Sequence, residues 1–186
     1  MTTTYEILLI CGSLRAGSTN EALLRTVEEL APPALVASHY RGIATLPHFN
    51  PDADRDPLPA PVIELRARIE AADALLFCTP EYAGALPGSF KNLLDWTVGG
   101  VEICDKPSAW INASSRGPDG AAGAHESLRA VLSYTGASIV EAACTTIPVP
   151  QNVVGSDGLI HDDHIRKRIA HVLATVVEHL DQLSVA

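Results

Sequence analysis

Tyr5-Glu6-Ile7-Leu8-Leu9-Ile10-Cys11 runs directly into Gly12-Ser13-Leu14-Arg15-Ala16-Gly17-Ser18-Thr19-Asn20, and the reading of this stretch decides the fold. Its first part is nearly continuous Ile and Leu, the pattern of a strand covered on both faces. Its second part is small and polar, and Gly12 and Gly17 let a chain turn tightly. Beyond it, Leu23, Leu24, Val27 and Leu30 recur at helical spacing, which predicts a helix over 20–30. A buried strand, a turn and a helix form the opening of a βαβ unit.

The same alternation continues along the chain. Further apolar runs lie at Ala34–Ser38, Ala74–Thr79, Ser108–Ala113 and Ser138–Cys144. Helical spacing recurs over Pro61–Ala72, Gly88–Thr97, Ala121–Tyr134 and Asp162–Leu183, with Pro61 suited to a first turn and Gly136 to a C-terminal cap. Five strands alternating with helices imply a parallel α/β sheet with helices on both faces. The expected architecture is a flavodoxin-like three-layer sandwich with strand order 2-1-3-4-5. Neither an internal repeat nor a linker is visible, so residues 1–186 read as one domain. The stretch Tyr40 to Ala60, with Pro47, Pro51, Pro57 and Pro59, is long for a connection, and such connections are usually functional or mobile.

Composition narrows the partners. Lys plus Arg is 13 against 22 Asp plus Glu, a net charge of −9, which argues against nucleic acid as the main partner. The start of the chain, Met1 to Tyr5, lacks a basic region, and its apolar run is too short for a signal-peptide core. No apolar stretch is long enough for a membrane span, so a cytoplasmic protein is expected. Cys11, Cys78, Cys104 and Cys144 are widely separated, and three of them lie in or beside apolar runs. They read as free thiols in a reducing compartment rather than as a disulfide framework or a zinc site.

Two loops carry the chemistry. In a doubly wound sheet, ligands bind at the carboxyl edge of the strands, where the chain crosses from one side to the other. The Gly12–Asn20 loop follows the first strand there. Ser13, Ser18, Thr19 and Asn20 supply hydrogen-bond donors, Arg15 a planar cationic fork, and the following helix its N-terminal dipole. This set suits a phosphate monoester. Its spacing matches neither the nucleoside-triphosphate loop nor the dinucleotide fingerprint. Ser18 and Asn20 serve equally well as helix caps. The second loop, Thr79-Pro80-Glu81-Tyr82-Ala83-Gly84-Ala85-Leu86-Pro87-Gly88, follows the third strand and should face the first across the switch point. Prolines stiffen it, Gly84 permits an unusual turn, and Tyr82 can lie against a flat ring.

The string Gly12-Ser-Leu-Arg15-x-x-Ser18-x-Asn20 resembles the phosphate loop of the NADPH-dependent FMN reductase family, which includes quinone, azo-dye and chromate reductases. Thr79-Pro-Glu-Tyr-x-Gly84-x-x-Pro87-Gly-x-x-Lys91-Asn92-x-x-Asp95-Trp96 is similar to its second hallmark. The resemblance spans about Ile7 to Cys144. It implies non-covalent FMN, with Ser13, Arg15, Ser18, Thr19 and Asn20 around the phosphate and Pro80, Glu81, Tyr82 and Gly84 near the ring. Ala113-Ser114-Ser115-Arg116-Gly117-Pro118-Asp119-Gly120 resembles the family's third loop, which places Ser114, Ser115 and Gly117 along the crevice. Arg116 is a candidate for the phosphates of NADPH. Two departures stand out: Ala83 where many relatives have Asn, and Ala44-Thr45-Leu46-Pro47 without the family's Asp.

The activity implied is hydride transfer from NADPH or NADH to flavin, then electron transfer to a quinone, azo or similar small acceptor. The cofactor performs that chemistry, so no catalytic side chain is named. The alternatives are a flavodoxin-like electron carrier, disfavoured by Arg15, and a flavin-free regulatory protein on the same fold. A homodimer or homotetramer is implied, with Phe90, Leu94 and Trp96 as candidate interface residues. His161-Asp162-Asp163-His164 lacks a complete metal ligand set, with Asp162 and Asp163 suited to a helix start and His164, His171 and His179 to its exposed side. A serine-hydrolase reading fails for want of G-x-S-x-G.

Overall fold

The computed structural model describes residues 4–117 and 119–185, so Met1–Thr3 and the third loop's Pro118 lie outside it. The apolar run Tyr5–Cys11 forms β1, and every residue of it except Glu6 is buried. Successive side chains point to opposite faces. Ile7, Leu9 and Cys11 join one core, with α1 (Thr19–Leu30) and α5 (Asp163–Val185). Leu8 and Ile10 join the other, with α2 (Ala60–Ala71), α3 (Gly88–Asp95) and α4 (Ala122–Tyr134). A strand buried on both faces has no polar side to show, which is why its sequence lacks alternation.

The strands β2 (Leu35–His39), β3 (Ala74–Cys78), β4 (Pro107–Asn112) and β5 (Ser138–Ile139) complete the order β2-β1-β3-β4-β5 with β1, all parallel. This is the expected order. The chain crosses from β1 outward to β2, then back past β1 to β3, so the switch point lies between β1 and β3.

The fifth strand departs from expectation. Instead of one run over 138–144, β5 ends at Ile139, a 3-10 turn occupies Glu141–Ala143, and β6 (Thr145–Thr146) resumes pairing with β4. Pro107 pairs with Ser138 but Ile111 with Thr145, so the turn loops out three residues of the outer strand. Glu and Ala are poor strand formers. Glu141 is drawn outward into a bidentate pair with Arg129, whose guanidinium lies 4.9 Å over the Trp110 ring.

Gly136 ends α4 as expected, at φ +76°. Ala137 N–H donates to the Leu132 carbonyl at 3.0 Å and Gly136 N–H to Ser133 at 3.4 Å, the Schellman pattern. Phe90, Leu94 and Trp96 are 0% exposed, so they are core residues of one chain and not an interface. His179, expected on the exposed side of α5, is only partly exposed, and its buried Nε2 has no hydrogen-bond partner among the described residues.

The long connection after β2 is tied down by the second hallmark. Asn92 Oδ1 accepts from Phe49 N–H at 2.7 Å, and Asn92 Nδ2 donates to the Pro47 carbonyl at 2.9 Å. Trp96 Nε1 donates to the same carbonyl at 2.8 Å and meets the Phe49 ring edge-on at 5.0 Å. Arg66, largely buried, spans from the Trp96 carbonyl to Asp54 Oδ1 at 2.7 Å. Asn92 and Trp96 therefore act on the Tyr40–Ala60 stretch. No helix among the described residues is long and apolar enough to cross a membrane.

Candidate functional site

Three loops meet at the carboxyl edge, each leaving the end of a strand. The first leaves β1 at Gly12, whose backbone is not in the left-handed region. The glycine is required for room: a Cβ there would lie 2.2 Å from Thr79 Oγ1 and 2.9 Å from the Phe90 ring. Gly12 N–H donates to the Cys78 carbonyl at 2.9 Å, which binds the two switch-point loops at their roots. Gly17, at φ +66°, makes the turn.

Ser18 is the N-cap of α1, and its Oγ accepts from Glu21 N–H at 3.1 Å. Its hydroxyl hydrogen remains available for donation. Among the described residues, the first-turn N–H groups of Thr19 and Asn20 have no protein acceptor. Arg15 is exposed and pairs with no carboxylate among them. Arg15 N–H donates to Ser13 Oγ at 3.3 Å, which closes the loop on itself.

In the second loop, Tyr82 and Ala85 exchange backbone hydrogen bonds of 3.0 and 3.1 Å around Ala83 at φ +51° and Gly84 at φ +75°. This is the mirror-image turn that favours Asn-Gly. The loop leans on the start of α4: Glu81 Oε2 accepts from Ala124 N–H at 3.2 Å. Gly123 permits the approach, since a Cβ there would lie 2.3 Å from the Gly84 carbonyl oxygen.

The third loop is organised by Asn112, a buried residue ending β4. Its Oδ1 accepts from Ser114 N–H at 2.9 Å and its Nδ2 donates to the Gly120 carbonyl at 2.7 Å. Ala121 follows at φ +62°. His125 Nδ1 lies 2.8 Å from the Ala121 carbonyl and donates to it. Burial holds the His125 imidazole below its ordinary pKa, and its buried Nε2 has no hydrogen-bond partner among the described residues.

The loops enclose an open cleft of about 250 Å³. Ser13, Arg15, Ser18, Thr19 and Asn20 line it from the first loop, and Pro80, Glu81 and Tyr82 from the second. The third contributes Ser114, Ser115 and Arg116. Gly84 and Gly117, expected beside a ligand, do not line it: Gly84 packs on Gly123, and Gly117 at φ +98° shapes the turn closed by Gly120 N–H. Sequence reasoning missed Thr79, Ala113, Ala121, Val149 and Gln151. Val149 N–H donates to the Ala113 carbonyl at 3.1 Å, which brings the segment after β6 to the rim. The available signal was the stiff Pro148-Val149-Pro150 following the last strand at the same edge.

Other features do not compete. His161 pairs with Asp157 at 2.9 Å, and Asp162 Oδ1 caps α5 by accepting from Ile165 N–H at 2.9 Å. A larger groove beside Pro32, Val177 and Val185 is mostly apolar, with acidic Glu178 and Asp181 at its walls and no cationic side chain lining it among the described residues.

The family model for NADPH-dependent FMN reductase matches residues 5–149. The chain belongs to the NADPH-dependent FMN reductase family. It is 35% identical over 175 residues to an NAD(P)H-dependent FMN reductase of Pseudomonas aeruginosa, covering 93% of this chain and 94% of that protein. It is 32% identical over 145 residues to a quinone reductase of Escherichia coli K12, covering 75% and 76%. Among solved structures, the flavoenzyme NAD(P)H:(acceptor) oxidoreductase FerB of Paracoccus denitrificans superposes with a TM-score of 0.84 at 31% identity, covering 96% of this chain and 98% of that one. This FMN reductase family member thus keeps the expected order β2-β1-β3-β4-β5 and brings its hallmark loops to one edge.

Proposed function

We propose that this NAD(P)H-dependent oxidoreductase, acting as one domain, holds the FMN phosphate in the Gly12–Asn20 turn and the flavin ring beside Tyr82. One observation carries the reading. The N–H groups of Thr19 and Asn20 and the Arg15 guanidinium, none with a partner among the described residues, and the Ser18 hydroxyl lie at the positive end of α1, in the same cleft as Tyr82. On a chain of net charge −9, such a convergence of donors suits a dianionic ester.

FMN held in this cleft would supply the redox chemistry, a two-electron transfer between NAD(P)H and the acceptor. The residues do the rest. The second loop, braced by Glu81 on α4, gives the ring a fixed wall. Tyr82, 51% exposed, offers it an aromatic face. The cleft is open and its volume of about 250 Å³ is below the roughly 300 Å³ at which ligand pockets usually begin, so part of a flavin held there would remain accessible to nicotinamide and acceptor in turn. Arg116, exposed at the rim, attracts the nucleotide's phosphates. Quinones are the favoured acceptors because relatives carry that name. Free thiols fit a cytoplasmic setting, and exposed Val98 and Val101 fit self-association, which sedimentation would measure.

The test is titration of flavin-depleted protein with FMN and with riboflavin. Arg15→Ala should weaken FMN binding by about 10- to 100-fold, the worth of a charged hydrogen bond, and leave riboflavin binding nearly unchanged. Unchanged FMN affinity would remove the phosphate from this loop. Absence of NAD(P)H oxidation with added quinone would leave an electron carrier.

A further inference from the structure

Two neighbouring thiols lie beneath the phosphate loop. Cys11 ends β1, Cys78 ends β3, and the two are register partners across the switch point. Both are buried. Each donates to a residue of the loop above: Cys78 Sγ to Asn20 Oδ1 at 3.2 Å, and Cys11 Sγ to the Ser13 carbonyl at 3.7 Å. Burial pushes the Cys11 thiol up to about 12 and the Cys78 thiol well above its ordinary range. Both therefore keep the hydrogen that donation requires, and neither is a reactive thiolate.

The consequence falls on Asn20. A side-chain amide carries an acceptor and a donor of nearly the same shape, and can present either one. Asn20 is the second residue of α1 and lines the cleft. With Oδ1 engaged by the Cys78 thiol, the end left for the cleft is the NH₂ group. A phosphate needs donors, and an amide turned the other way would set a carbonyl oxygen against it.

We infer that Cys78 is a positioning residue for the cofactor's phosphate, its S–H locking Asn20 with the amide NH₂ toward the anion. Cys11 assists by holding the Ser13 carbonyl dipole down toward the strand and away from the ligand. This rests on the proposed FMN site and adds a residue that touches neither cofactor nor substrate. An apolar residue at the end of β3 would supply no donor and would leave the amide free to turn.

The experiment measures FMN and riboflavin affinities of flavin-depleted Cys78→Ala, Cys78→Ser, Asn20→Ala and the Cys78→Ala/Asn20→Ala double variant, with urea midpoints for each. Cys78→Ala should lose about 2- to 10-fold in FMN affinity, the usual worth of one hydrogen bond, with riboflavin affinity unchanged. Cys78→Ser, whose hydroxyl still donates, should stay within about twofold of the native chain. In the Asn20→Ala background, Cys78→Ala should have no further effect on FMN. A merely structural cysteine would change both flavins alike, or would act equally with Asn20 absent, and either result overturns the inference. If Asn20→Ala weakens FMN and Cys78→Ala does not, the thiol role fails and the site stands. If neither Asn20→Ala nor Arg15→Ala affects FMN, the site fails and the inference with it.

Discussion

Gly12→Ala tests whether the two switch-point loops are packed as tightly as their geometry requires. The added methyl would sit 2.2 Å from Thr79 Oγ1, 2.6 Å from Thr79 Cβ and 2.9 Å from Phe90 Cδ1. Ordinary carbon contacts need about 3.5 Å or more, so Thr79 would have to move by roughly 1 Å. It cannot do so freely: Thr79 is 1% exposed, and Phe90 behind it is 0% exposed. Overpacking at such a site costs about 1–3 kcal/mol, and contacts on two sides place this one near the upper end. For a chain of this size, that lowers the melting temperature by roughly 5–10 °C. Thr79→Ala removes the closest contact but leaves Cβ, so it should recover part of the loss, with a coupling of about 1 kcal/mol in a double-mutant cycle. Urea or thermal denaturation of the four proteins measures this, and an FMN titration reports whether the loops have parted. The reasoning is refuted if Gly12→Ala melts within about 1 °C of the native chain and Thr79→Ala makes no difference to it.

Three further outcomes are expected. Ala83→Asn places a residue tolerant of positive φ where alanine stands at φ +51°, and should stabilise by about 1 kcal/mol, raising the melting temperature by about 2–4 °C. Asn112→Ala removes the bridge between Ser114 N–H and the Gly120 carbonyl, and should cost about 2 kcal/mol by urea denaturation and weaken FMN binding through the third loop. Because burial holds His125 below its ordinary value of 6.5, the unfolded chain takes up a proton that the native one refuses. Stability then falls as the pH drops below about 6.5 and levels off beneath the native pKa, with His39 acting in the same direction. His125→Gln should flatten part of that slope between urea midpoints taken at pH 7.5 and at about 5.5.

The layered fold was legible in the chain itself. Ile7 to Cys11 lacks alternation because helices cover both faces, and Leu23, Leu24, Val27 and Leu30 mark one side of α1. Ser18, Pro61 and Gly136 mark helix ends. These signals depend on residues a few positions apart, and the backbone's fixed repeat converts such spacing directly into a shared face. The loops that build the cleft were legible for the same reason, since each follows a strand whose end is visible.

What the chain could not announce lies between residues far apart. The break after Ile139, the space that Gly12 leaves for Thr79, the bridge made by Asn112 and the arrival of Gln151 at the rim all depend on strand register. So does the anchoring of Pro47 and Phe49 by Asn92 and Trp96. Register is decided by the packing of both cores at once, and an offset of two or three residues changes those meetings while leaving every local pattern intact. Periodicity therefore determined which faces are buried, and tertiary structure alone decided which atoms meet.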